Sequence, residues 1–124
     1  MTPEEFRRIA LSLPEAKEVY RRGSSHFRVE RKTFATLEGP GDAVATVNLT
    51  PDQQSMFMHE APKAFVPVPG GWGRLGSTSV LLGSVTSAQL QDALGGAWQN
   101  VAPKSLLQRI NASGSTVPSR PDNG

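Results

Sequence analysis

The fold is decided by the stretch FRVERKTFATL (residues 27–37), which contains two short strands joined by a turn at Arg31-Lys32. Apolar and polar side chains alternate along it, and β-branched and aromatic residues predominate. Further strands of this kind are predicted at Val19-Tyr20 and at residues 43–47. Connections this short join antiparallel neighbours, because a parallel crossover needs about a dozen residues. The sequence around this stretch therefore predicts an antiparallel meander.

Three capping boxes predict where helices begin. In each, a threonine stands three residues before Glu or Gln, and the three threonines are Thr2, Thr50 and Thr86. We expect Met56 and Phe57 to anchor the second helix. We predict later strands at residues 79–82 and 72–74 and one more short turn after Pro103. The order of elements predicts an α+β domain with helices packed on one face of an antiparallel sheet.

Length and composition indicate one globular domain. The chain has 124 residues, of which 37% are hydrophobic and 19% are charged. We assign residues 1–110 to this domain and expect the Ser-, Gly- and Pro-rich residues 111–124 to form a disordered tail. No apolar run approaches the roughly 20 residues that span a bilayer, and the first residues do not resemble a signal peptide. A cytoplasmic location without a membrane partner is therefore predicted.

Catalytic and metal chemistry have little support in the sequence. Cysteine is absent, which excludes thiolate nucleophiles and Cys-based metal sites. The two histidines, His26 and His59, have no partner at metal-ligand spacing. Residues 71–76 match G-x-G-x-x-G, but a dinucleotide site needs a strand before this motif and a helix after it, and neither is expected here. We therefore predict no enzyme activity, no catalytic residue, no cofactor and no metal.

Positive charge is concentrated in one part of the chain. The net charge is only +2, yet five cations lie between residues 21 and 32 with Glu30 as the one acid among them. Alternation places Arg28 on the face opposite Phe27, and Arg31 and Lys32 are expected at the tip of the hairpin. A ribbon with cations at its tip can contact a nucleic-acid backbone. The alternative is an ordinary solvated turn.

Trp72 and Arg74 stand among glycines and form a second candidate. If residues 72–74 are a strand, these two side chains face the same side. They could then stack on a base and hold a phosphate. The structural alternative is that Trp72 closes the edge of the sheet and that Arg74 pairs with a carboxylate such as Glu60.

Several segments, taken together, resemble the MmcQ/YjbR family in order and spacing over residues 1 to about 110. They are LPEA (13–16), FRVERKTFA (27–35), VNL (47–49), PGGWGR (69–74), the apolar positions of residues 90–98, and APK (102–104). The resemblance implies a compact α+β fold similar to the frataxin (CyaY-like) architecture. It also implies a DNA-binding role, attributed to a "double wing" of strands.

Two functions are open at this point. The first is a non-enzymatic DNA-binding domain that contacts phosphates with weak sequence preference. Its expected binding residues are Arg28, Arg31, Lys32, Trp72 and Arg74. The second is a protein or small-ligand binding module whose pocket lies between the Pro67–Arg74 loop and the sheet, with Trp72 as its anchor. The cations should form one continuous face with Trp72 in the first case and scatter in the second. A monomer and a homodimer paired through a sheet edge are both compatible with the sequence.

Overall fold

The computed structural model describes the backbone of residues 1–112 and the side chains of residues 1–108. The helices are α1 (Pro3–Leu11), α2 (Pro51–Glu60), α3 (Gly71–Arg74), α4 (Ser87–Val101) and α5 (Lys104–Ala112). The strands are β1 (Ala16–Arg21), β2 (Ser24–Val29), β3 (Lys32–Glu38), β4 (Val44–Asn48), β5 (Phe65–Pro67) and β6 (Ser77–Val80). A short 3-10 turn, Pro40–Asp42, joins β3 to β4.

The six strands form one antiparallel sheet in the order β1-β2-β3-β4-β6-β5. The first four strands are the predicted meander, so the α+β prediction is confirmed. A two-residue turn at Arg22-Gly23 joins β1 to β2, and both residues have positive φ, which matches the right-handed twist of the strands. The turn between β2 and β3 is Glu30-Arg31, one residue earlier than expected, and Lys32 already belongs to β3.

A β-bulge lies in the middle of the β2–β3 pair. Phe27 pairs with Ala35, whereas Arg28 pairs with Thr33, so Phe34 is an extra residue on β3. Phe34 and Ala35 are consequently both buried although they are adjacent in the chain. The bulge lets β3 bury two successive side chains without changing which face the rest of β2 presents to solvent.

The core lies between one face of the sheet and helices α1, α2 and α4. All three predicted capping boxes are formed, at Thr2, Thr50 and Thr86. Side chains from every layer are fully buried there, including Phe6, Phe27, Leu37, Val47, Phe65, Leu90 and Leu94. The indole Nε1 of Trp98 donates a hydrogen bond to the carbonyl oxygen of Pro14 at 2.9 Å, which ties α4 to the segment after α1.

Four sequence predictions need correction. The strand predicted at residues 72–74 is wrong, because these residues form the single helical turn α3, and the neighbour of β6 is β5 instead. The strand predicted at residues 79–82 begins and ends two residues earlier. Met56 is not an anchor of α2, since it is 48% exposed, whereas Phe57 packs on Phe65. The predicted short turn after Pro103 is the longer helix α5.

The predicted disordered tail, residues 111–124, lies outside the described residues except for its first two, which end α5. Among the helices of the described part, none is both long and apolar enough to cross a bilayer.

A partly buried ionic network joins α1 to the sheet. Arg7 Nε donates to both carboxylate oxygens of Glu18, at 3.1 and 3.0 Å, and Arg7 Nη2 donates to Asp42 Oδ2 at 3.0 Å. The Ser25 hydroxyl donates to Glu18 Oε2 at 2.6 Å. The hydrogen bonds to Asp42 and Glu18 raise the pKa of Arg7 above its ordinary value, against the opposing effect of burial. Because the folded-state pKa is raised, this contribution of Arg7 to stability is lost as the pH rises through the strongly alkaline range.

Replacing Arg7 with methionine should lower the free energy of unfolding by about 1–3 kcal/mol. The substitution leaves the Glu18 carboxylate with Ser25 as its remaining partner, while the methionine keeps most of the apolar stem. Urea denaturation followed by circular dichroism measures the change. Arg8→Met is the matched control, because Arg8 is exposed on the same helix and should change stability by less than about 0.5 kcal/mol. Equal effects of the two substitutions would show that the network contributes nothing.

Candidate functional site

The face of the sheet opposite the core carries side chains that are partly or fully exposed. Strand alternation and the pairing register define this surface, which we call the open face. It is mostly polar, and its members on the first four strands are Lys17, Val19, Arg21, Ser24, His26, Arg28, Thr33, Thr36, Glu38, Val44, Thr46 and Asn48. Ser77 and Ser79 of β6 continue it. The open face is therefore the large polar surface that the fold leaves accessible.

One row of side chains crosses the open face from β1 to β6. Lys17 is paired with Arg28, Arg28 with Thr33, and Asn48 with Ser77. Asn48 completes the row, because its Nδ2 donates to the Thr33 carbonyl oxygen at 3.1 Å and its Oδ1 accepts from the Ser77 hydroxyl at 3.3 Å. We call these five residues the polar row. It carries two cations at its β1–β2 end and neutral hydrogen-bonding groups at its β4–β6 end.

Helix α3 forms a wall at the β6 end of the polar row. Trp72 is 70% exposed, and Leu75, three residues later, is similarly exposed on the same side of the turn. Together they border a groove of about 650 Å³ above the open face. The polar side chains that line it are His26, Thr33, Thr36, Glu38, Thr46, Asn48 and Ser77. The partner of Trp72 in this wall is Leu75, whereas the sequence predicted Arg74, because residues 72–74 are helical and not extended.

The position of α3 is fixed by a partly buried amide and by two glycines. Gln54 Nε2 lies 2.9 Å from the carbonyl oxygen of Gly73, 3.2 Å from that of Ser77 and 3.1 Å from the hydroxyl of Thr78. A Cβ atom at Gly73 would overlap the carbonyl oxygen of Val68. Gly76 has φ +114°, and a Cβ atom there would overlap the carbonyl oxygen of Leu49. Gly73 and Gly76 are therefore required by close backbone contacts, which hold Trp72 at the edge of the groove.

Gly73→Ala should destabilise the fold by about 1–3 kcal/mol, because the added methyl group must displace backbone atoms. Gly71→Ala is the matched control in the same turn, since its Cβ would meet nothing nearer than the flexible end of Arg74 at 4.0 Å. Thermal unfolding of the two variants measures the difference. Similar melting temperatures for Gly73→Ala and Gly71→Ala would contradict the close packing of α3 on residue 68.

The predicted cations do not form one continuous surface. Arg28 lies on the open face with Trp72, and its Nη2 reaches the carbonyl oxygen of Arg31 at 3.4 Å. Arg31 is exposed in the turn. Lys32 is paired with the buried Val29, so it projects from the opposite face of the same hairpin. Arg74 is exposed at the end of α3 but does not line the groove.

The structural alternatives for Trp72 and Arg74 are not supported within residues 1–108. Trp72 is too exposed to close the edge of the sheet. Arg74 and Glu60 form no ion pair with each other there. Both side chains are left facing solvent.

Lys17 was missed at the sequence level. The first strand was predicted only at residues 19–20, whereas β1 begins at Ala16 and carries Lys17 directly opposite Arg28. Strand alternation could have placed Lys17 on the same face as Arg28. This inference requires the register between β1 and β2, which the sequence does not give. Lys17 and Arg28 have no ion-pair partner in the described part of the chain.

Several polar groups in and around the groove are not engaged by the protein. Within residues 1–108, the side chains of His26, Thr36 and Thr46 make no hydrogen bond, and the Arg28 Nε is buried without a partner. At the far end of the open face, Glu38 accepts a hydrogen bond from the Ser24 hydroxyl at 3.1 Å. The site thus offers a flat ring, free hydrogen-bonding groups and cations at one end. Among the described residues, no cluster of His, Asp or Glu could hold a metal ion.

Two solved structures share this fold at low sequence identity. The first is the Deinococcus radiodurans protein DR2400, with domain DUF419; it has a TM-score of 0.68 and 16% identity, with coverage of 89% of this chain and 88% of the other. The second is a protein from Pseudomonas syringae, with a TM-score of 0.64 and 15% identity, and coverage of 82% and 100% respectively. These similarities show a common fold.

Sequence comparisons give the family. The sequence matches none of the curated proteins. A sequence model of the YjbR family matches residues 11–100, which include the meander, the α3 wall and most of α4. Since this match covers well over half of the chain and agrees with the resemblance found in the segments above, the protein belongs to the YjbR family.

Proposed function

We propose that this domain binds DNA through its phosphate backbone along the open face. One observation carries the proposal: Lys17 and Arg28 are adjacent on the same surface as the exposed Trp72, with the neutral part of the polar row between them. Cations without ion-pair partners can neutralise phosphates and release the counterions condensed on the DNA, which supplies a large share of the affinity in such complexes. In this proposal the domain is a cytoplasmic binding module without catalytic activity or a cofactor.

The charge distribution favours one end of the open face for the phosphates. Arg31 in the exposed turn adds a third cation near Arg28. Glu38 lies at the other end of the open face and would repel a phosphate there. Glu30, next to Arg31, weakens the field at the tip of the hairpin. We therefore expect contacts to centre on Lys17 and Arg28 and to carry little sequence preference.

The double-wing description of DNA binding stays a prediction. It would use the β2–β3 hairpin as a ribbon with Lys32 among its contacts, and the Trp72 loop with Arg74. The open-face proposal assigns neither cation a leading role, because Lys32 projects from the other side of the hairpin and Arg74 lies outside the groove.

Removing the two open-face cations should weaken DNA binding and flatten its salt dependence. For Lys17→Ala/Arg28→Ala we expect the slope of log K against log salt concentration to fall in magnitude by about two, one for each lost phosphate contact. Fluorescence anisotropy with labelled oligonucleotides at low and physiological salt measures both effects. Lys63→Ala/Lys104→Ala removes the same charge from exposed positions outside the open face and should leave the slope nearly unchanged.

Lys32→Ala distinguishes two possible DNA interfaces, the open face and the β2–β3 hairpin ribbon. A loss as large as that of Arg28→Ala would favour the hairpin ribbon, whereas a small loss supports the open face. If the native protein shows no binding at low salt, where electrostatic attraction is strongest, the proposed function is wrong.

The second candidate is a small-ligand binding module, favoured by the groove itself and by the scatter of the predicted cations, which is the arrangement expected for this function. Its volume of about 650 Å³ is in the range of ligand sites, and the exposed Trp72 and Leu75 give it an apolar wall. In this case Trp72→Ala should abolish binding of the ligand, whereas Lys17→Ala/Arg28→Ala should not. A thermal-shift screen of small planar molecules against the native protein and both variants tests it.

A further inference from the structure

We infer that the groove beside Trp72 holds one unpaired base of a single-stranded nucleic acid, so that the domain binds single strands more tightly than duplexes. This inference rests on the DNA-binding function proposed above and specifies its substrate class. Three features of the groove support it: the exposed ring of its wall, the free polar groups of its floor, and the position of the cations relative to both.

The indole of Trp72 is available for stacking. The chain has two tryptophans; Trp98 is 6% exposed and hydrogen-bonded inside the fold, whereas Trp72 is 70% exposed. In the described part of the chain, the aromatic pairs are Phe6–Phe27 and Phe57–Phe65, so Trp72 has no ring partner there. An exposed aromatic ring stacks well on a nucleic-acid base of any sequence. In a duplex the base faces are covered by their neighbours, so this contact requires an unpaired base.

The floor of the groove can hydrogen-bond the edge of such a base. His26, Thr36 and Thr46 face the groove without hydrogen-bond partners among the described side chains. Hydroxyl and imidazole groups can each donate and accept, which suits the mixed edges of bases. Asn48 differs from them, because Thr33 and Ser77 fix its amide in place. The groove therefore combines a stacking wall with an adaptable polar floor.

The positions of the cations determine the path of the bound single strand across the open face. From β6, beside Trp72, to Arg28 on β2 the open face spans three strand spacings, about 14 Å. A stacked strand rises about 3.4 Å per nucleotide, so this distance corresponds to roughly four nucleotides. Glu38 lines the groove at the end away from the polar row, so its negative charge disfavours a phosphate at that end. The backbone should thus leave the Trp72 subsite along the polar row and reach Arg28 and Lys17 within a few nucleotides.

Three labelled ligands test the inference by anisotropy: an oligothymidylate of about eight nucleotides, its duplex, and an abasic strand of the same length. We expect the single strand to bind at least about tenfold more tightly than either of the others, because only it offers both phosphates and an unpaired base. Unlabelled oligothymidylate should also quench the protein's emission, since Trp72 is the exposed tryptophan. Strands shorter than about four nucleotides should bind weakly, because they cannot connect the groove to the cations.

Variants of Trp72 test whether this residue is responsible for the preference for single strands. Trp72→Ala should weaken single-strand binding by about 5- to 150-fold, the range found for stacking aromatic side chains, and should leave duplex binding nearly unchanged. Trp72→Phe should restore part of the loss. Tyr20→Ala is the matched control, because Tyr20 is 67% exposed but does not line the groove. Circular dichroism and thermal unfolding confirm that each variant is folded.

The outcomes separate this inference from the proposed function. One outcome would overturn the base subsite and leave DNA binding intact. In it, single strand and duplex bind equally, Lys17→Ala/Arg28→Ala weakens both, and Trp72→Ala weakens neither. Equal binding of the thymidylate and abasic strands would also overturn it. Absence of binding to all three ligands at low salt would overturn both proposals. Thymidine binding as tight as the oligonucleotide, and insensitive to the loss of the cations, would favour the small-ligand module.

Discussion

The pairing of β2 with β3 is the constraint on which the rest of the structure depends. Alternation sends every second side chain to the core, so the register decides which residues meet the helices and which meet solvent. The bulge places Phe34 and Ala35 together in the core and keeps Arg28 and Thr33 on the open face. Without the extra residue, the part of β3 beyond the bulge would present its apolar side chains to solvent. The core and the polar row thus follow from one local irregularity.

The protein uses its arginines in two contrasting ways. Arg7 is surrounded by Glu18 and Asp42, so its charge is neutralised locally and joins α1 to the sheet. Arg28 lies on the open face without a carboxylate partner in the described residues, and its Nε is left without a hydrogen bond. A charge that stabilises the fold is neutralised by its partners, whereas an unpaired charge at a surface can attract another molecule. This difference distinguishes the scaffold from the site.

The wall of the groove shows how a rigid scaffold supports an exposed aromatic residue. Trp72 gains little from burial, so its position depends on the backbone that carries it. The Gln54 amide and the contacts of Gly73 and Gly76 supply that support from the buried side of the loop. A backbone held in place before binding loses little conformational entropy when a ligand arrives. Gly73 and Gly76 are therefore explained by close backbone contacts beneath the ring and not by a phosphate-binding loop.

The sequence by itself determined the elements whose signals are local. Threonine capping boxes fixed the starts of three helices, short connections implied antiparallel strands, and the ordered segments indicated the YjbR family. Only the tertiary structure decided the face of Lys32, the role of Lys17 opposite Arg28, and the pairing of Trp72 with Leu75. Each depends on a register or on a helical turn, and a one-residue shift in a strand moves a side chain to the opposite face. Contacts between distant segments set that register, so spacing along the chain could not reveal it.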